Sequence, residues 1–230
     1  MWTLLVWIIS AICYVPLYIS YQGVAVPSML LELKYFFVLI PLIFTLFFLL
    51  RNKGIKKWLM EMFELSVRVG ALVFSLIIAV VGIFFTNILT VQEWELQTLL
   101  VGMVYLFFMA LIEEVVWRGY RLRSVAQNRK EVVAILFVSL EWAVWHIPMW
   151  AMRNLIGIEE IVFWILYTVI VGCVLGKSYM RYRNILVPVL LHTIFNVFFL
   201  MPVHINLFVV LSIWIAIILF ERIEEKLKIN

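Results

Sequence analysis

Residues 96–118 read LQTLLVGMVYLFFMALIEEVVWR, and the way this stretch ends decides the fold. Positions 96–112 carry no charge, which marks a helix built for the hydrocarbon core of a bilayer, about 30 Å thick at about 1.5 Å per residue. Its end carries two carboxylates and a guanidinium, at Glu113, Glu114 and Arg118. Charges in a span cost roughly 2.5–3.5 kcal/mol each on insertion scales, so they are kept mainly where they face a cavity or one another. Glu114 and Arg118 stand four apart on one helical face, the spacing of an ion pair, whereas Glu113 points about 100° away and is free for another role.

The rest of the chain is of the same kind. Of 230 residues 66% are hydrophobic and 14% charged, and the mean hydropathy is +1.11, which excludes a water-soluble globular domain. Further charge-free runs cover 2–31 and 69–92. Turn signals and charges divide the chain into spans at about 2–20, 31–50, 66–90, 96–117, 132–150, 160–177, 184–201 and 205–222, an all-α bundle of eight transmembrane helices. The first run has no basic leader and no Ala-x-Ala site, so it reads as a retained span. Cys13 and Cys173 fall in apolar stretches and read as small buried hydrophobes. Gly172 and Gly176 form a pair four apart that lets a neighbouring helix of the same bundle approach closely.

The basic residues fix the orientation. Of the 18, all but Lys34 and Arg153 lie in the linkers around 51–68, 118–131 and 177–183 or in the tail after residue 221. The linkers between these are neutral or acidic, as with Glu93, Glu95, Glu159 and Glu160. By the positive-inside rule both termini face the cytoplasm. The sequence pI of 9.1 therefore reports topology, and the partners it implies are the lipid bilayer and no nucleic acid. With no repeat and no room for a soluble domain, function must lie inside the bundle.

The polar residues that lipid should forbid are Glu113, Glu114 and Arg118, then Glu141 and His146, then His192 with Asn196 one turn further on. Alone, each group also fits an ordinary role: the charges a snorkelling helix end, the histidines and Asn196 interhelical glue. Two of three histidines inside spans, together with paired carboxylates, point further. A base to take a proton from water and donors to hold an oxyanion are what hydrolysis of a carbonyl needs, and the same residues are also a candidate zinc set.

These residues stand in three short motifs: Glu113-Glu114-xxx-Arg118, Trp142-xxx-His146 and His192-xxx-Asn196. In this order they resemble the membrane peptidases of the CPBP (Abi, type II CAAX prenyl protease-like) family. The likeness covers 96–201, the catalytic core; residues 1–95 hold three spans with nothing diagnostic, and 202–230 the last span and tail. Two departures stand out: Trp142 replaces a Phe and keeps an aromatic wall, and Glu141 adds a carboxylate. Glu141 faces a hydrated cavity, pairs with an Arg such as Arg118 or Arg121, or is protonated; sequence leaves these open.

The resemblance implies an intramembrane endopeptidase with a cavity open to the cytoplasm, in a bacterial plasma membrane, acting on membrane-associated peptides or lipidated protein tails, in bacteriocin or signal-peptide maturation or in self-immunity. Glu113 would activate water, Glu114 would assist it or hold Arg118, and His146, His192 and Asn196 would orient water and bind the oxyanion. Family members are described both as metal-independent and as metalloproteases; with zinc, His146 and His192 would be its ligands. For His146, deep in its span, to meet Glu113, the fourth helix must run on to about residue 123 and line a cavity. Two other functions compete. A proton-coupled transporter predicts Gly- or Pro-interrupted spans in both halves, which the sequence lacks; a non-catalytic immunity or scaffold protein would not need all three motifs.

Overall fold

The computed structural model describes residues 2–52, 54–63, 96–154 and 158–199; the spans expected at 66–90 and 205–222 lie outside the described residues. Every regular element among these is helical. Among the described residues, three helices can cross a membrane by length and composition, Trp2–Tyr21, Glu131–Ala151 and Glu159–Tyr182, or four if a bent pair counts as one span.

The first span is α1 (Trp2–Ile12) followed by α2 (Val15–Tyr21), whose first turn holds Pro16, where a missing N–H is harmless. The second span is not the straight helix expected over 31–50. It is α3 (Ser28–Leu31), a 3-10 turn (Glu32–Phe36) and α4 (Leu39–Arg51), with a bend of 57° at the break between Phe36 and Leu39. α1 buries Trp2, Val6 and Ser10, and α4 buries Pro41, Thr45 and Leu49. In each helix every fourth residue faces inward, while Leu4, Ile8, Ile43 and Phe47 stay exposed. The stripes are narrow because lipid accepts the remaining apolar surface, and small polar residues such as Ser10 and Thr45 let helices close up.

α5 (Ile55–Met62) occupies what sequence gives as a linker. It buries Trp58 and Met62 and braces the long helix that follows. That helix is α6 (Leu96–Val116), a π turn (Trp117–Leu122) and α7 (Arg123–Ala126), so the helix bearing Glu113 does continue past Arg118. Trp58 Nε1 donates to the Gly119 carbonyl at 2.9 Å, Glu61 pairs with Arg123, and a Cβ on Gly119 would collide with Met62 Sδ. The Met62 carbonyl in turn accepts from Ile185 N at 2.8 Å.

α8 (Glu131–Asn154) and α9 (Ile158–Tyr182) form the most extensive helix pair, and α10 (Leu186–Phe199) packs on both α9 and α6. A Cβ on Gly172 would stand 2.8 Å from Ser139 Cβ and 3.2 Å from its Cα, and one on Gly176 3.0 Å from Ile135 Cγ2. The glycine pair thus serves intramolecular packing, as its spacing suggests. Because backbone blocks the way, Gly172→Val is expected to destabilise the protein by about 1–3 kcal/mol through overpacking. Gly102→Ala, whose Cβ meets nothing within 4 Å, should be neutral or slightly stabilising. Thermal melting in detergent checks both; equal melting temperatures would refute the close approach.

Candidate active site

Three helices deliver the polar residues to one place: α6 brings Glu113 and Glu114, α8 brings Trp142 and His146, and α10 brings His192. The adjacent carboxylates are held in different ways. Glu114 Oε1 accepts from Arg118 Nη1 and from His192 Nδ1, each at 2.8 Å. Arg118 also donates through Nη2 to the Gly172 carbonyl at 3.3 Å, and its guanidinium lies 4.4 Å from the Trp142 ring centre, a cation–π contact. Glu114 and Arg118 are 0% and 1% exposed, so this half is sealed. An ion pair so buried is tolerable only because carboxylate, guanidinium and imidazole satisfy one another.

Glu113 sits in the less closed half. Its Oε2 accepts from Trp142 Nε1 at 2.9 Å and faces His146 Nε2 at 3.7 Å; both side chains keep about a tenth of their surface exposed. His146 Nδ1 lies 2.8 Å from the Trp142 carbonyl. A carbonyl only accepts, so Nδ1 carries the proton and Nε2 presents a lone pair towards Glu113. The same logic at His192, whose Nδ1 proton goes to Glu114, leaves its Nε2 free.

Trp142 packs against both imidazoles, edge-on to His146 at 5.0 Å and to His192 at 5.3 Å. His146 is sandwiched further by Trp150, stacked at 5.3 Å, and by the edge of Trp145 at 4.8 Å. Sequence marks Trp142 as an aromatic wall; the structure makes it a donor to Glu113 as well. The signal was available, because a buried indole N–H in an apolar span needs an acceptor. Asn196 lies one turn past His192 on α10, half-buried, outside these bonds.

The carboxylate that departs from the family pattern is also accounted for. Glu141 accepts from Arg121 twice, Nε to Oε2 and Nη2 to Oε1, both at 2.7 Å, and from Thr3 Oγ1 at 2.8 Å. Of the three fates open to it, pairing with Arg121 is the one observed.

Residues 94–198 match the family model described as type II CAAX prenyl endopeptidase Rce1-like. Over this segment the chain is similar to that family. The Rce1-like segment contains all three motifs and every residue of the site, whereas α1 to α5 precede it. No curated protein matches the chain. The match to a protease family and the several apolar helices among the described residues together point to a membrane protein.

A metal fits this arrangement poorly. Among the described residues no three His, Cys, Asp or Glu side chains converge as a ligand set. The Nε2 of His146 and the Oε2 of Glu113 are instead spaced for a small polar molecule beside them.

Proposed function

We propose that the protein is an intramembrane endopeptidase in which Glu113 activates a water molecule. The observation that carries this reading is the division of labour between neighbouring carboxylates, one neutralised and sealed, the other facing an imidazole lone pair across 3.7 Å. That distance is too long for a hydrogen bond, yet one water beside the two atoms can donate a proton to each.

Water attacks the scissile carbonyl as Glu113 Oε2 takes one of its protons, and His146 Nε2 accepts the other hydrogen bond and orients the attack. The tetrahedral oxyanion needs donors. His192, held at Nδ1 by Glu114, serves when protonated at Nε2, with the carboxylate offsetting the imidazolium charge as in a hydrolase triad. The Asn196 amide, one turn on, is the second donor. Glu113 then passes its proton to the leaving amine, the C–N bond breaks and both products depart with the carboxylate regenerated. Arg118 and Trp142 keep the two carboxylates apart in role.

The substrate is a membrane-associated peptide or lipidated protein tail reaching the site from the cytoplasmic side, on which both termini lie. Maturation of a bacteriocin or signal peptide, or immunity to one, fits such a substrate. The test uses purified protein in liposomes with a C-terminally prenylated peptide and its unprenylated twin, products being identified by mass. A cleaved internal amide bond is expected, and cleavage is expected to survive treatment with a zinc chelator. Loss of activity on chelation with recovery on adding zinc would instead assign His146 and His192 to a metal.

A further inference from the structure

Two side chains of the site, Trp142 and His146, stand one turn apart on α8. Residues 141–146 hold Trp142, whose indole bonds Glu113 and whose carbonyl fixes the His146 tautomer. The inner face of this turn meets the site; what holds its outer face is α1. Thr3 Oγ1 donates to Glu141 Oε1 at 2.8 Å, Trp7 Nε1 to the Glu141 carbonyl at 3.2 Å, and Trp145 Nε1 to Ser10 Oγ at 3.0 Å. Residues 3, 7 and 10 lie on one face of α1, so the three bonds form a ladder along a single seam.

Arg121 completes the arrangement. It belongs to the helix that bears Glu113 and grips Glu141 with two bonds at 2.7 Å, while its guanidinium lies 5.6 Å from the ring centre of Trp2 on α1. Two rungs therefore set how α8 sits against the helix carrying the carboxylates: Trp142 to Glu113, and the neighbouring Glu141 to Arg121. α1 is bonded to the second rung on its far side.

We propose that α1, through Thr3, Trp7 and Ser10 acting on Glu141 and Trp145, positions Trp142 and His146 for the reaction, so that the first span completes an active site whose reacting groups all lie in the Rce1-like segment. Thr3, Trp7, Ser10, Glu141 and Arg121 are positioning residues; none touches the reacting atoms. The kinetic part of this inference rests on the endopeptidase reading, while its structural part does not.

The test has two arms. In the first, kcat and KM are measured per folded molecule for Thr3→Val/Ser10→Ala and for Glu141→Gln. A fall in kcat of about 10- to 100-fold is expected, the scale of a misplacement near 1 Å, with KM little changed, and Thr3→Ser, which keeps the hydroxyl, should keep kcat. In the second, 15N-tryptophan-labelled protein reports the Trp142 indole N–H, assigned by its loss in Trp142→Phe, and this signal is expected to move in the same variants. In a protein that cleaves, unchanged kcat overturns the proposal even if the melting temperature falls. If the parent cleaves nothing, the functional reading fails by itself, and an unmoved Trp142 signal then overturns the positioning role while a shifted one supports it. Should the double variant not fold, Ser10→Ala, which deletes one hydroxyl, carries both arms.

Discussion

Replacing Glu113 with Gln is expected to slow peptide cleavage by roughly 10²- to 10⁴-fold, the span that general-base catalysis contributes, with the fold intact. The amide has the shape of the acid and its oxygen still accepts from Trp142 Nε1, the 2.9 Å bond that anchors the side chain. What it loses is the capacity to take a proton from water beside His146 Nε2. Cleavage rates by mass spectrometry, set against melting temperature and detergent elution profile, separate lost chemistry from lost structure. A Glu113→Gln variant that cleaves within twofold of wild type would remove Glu113 from the reaction.

The second large effect concerns stability. Arg118→Met should destabilise the protein by about 3–5 kcal/mol, because it leaves Glu114 charged and buried with one partner gone. Oε2 of Glu114 is already buried without a hydrogen bond among the described residues, so the carboxylate has little in reserve. Removing both charges together, Glu114→Leu with Arg118→Met, should recover much of the stability, since an apolar pair of similar volume replaces an ion pair. It should not recover activity, because His192 loses the acceptor that fixes its ring. A double-mutant cycle on unfolding measures this directly, and additive losses would mean that the two residues do not depend on each other.

The site was more legible than the bundle around it. Charges in a membrane are costly wherever they occur, so Glu113, Glu114, Arg118, His146 and His192 announce themselves, and the structure gathers all five. The ion pair of Glu114 with Arg118 and the continuation of its helix past Arg118 also follow from spacing and depth. Three things escaped. Glu141's partners could not be chosen, because Thr3 is 138 residues away and apolar helices do not reveal in their periodicity which face is buried. α5 is illegible at the scale of a span, because its eight residues are too few to cross a bilayer, although Trp58 and Met62 share one of its faces. The 57° bend in the second span was invisible to a count of apolar residues, which measures length and not direction.

The ladder between α1 and α8 bears on how the protein is made. Its bonds join residues 134, 135 and 138 apart in the chain, and the chain enters the bilayer N-terminus first. While α1 waits for α8, the hydroxyls of Thr3 and Ser10 must turn back to their own helix and the Trp7 indole must look to lipid headgroups. Long-range closure of this kind is late and slow compared with local helix formation. The groups that α1 holds in place on α8 therefore come together only after more than half of the chain has been synthesised.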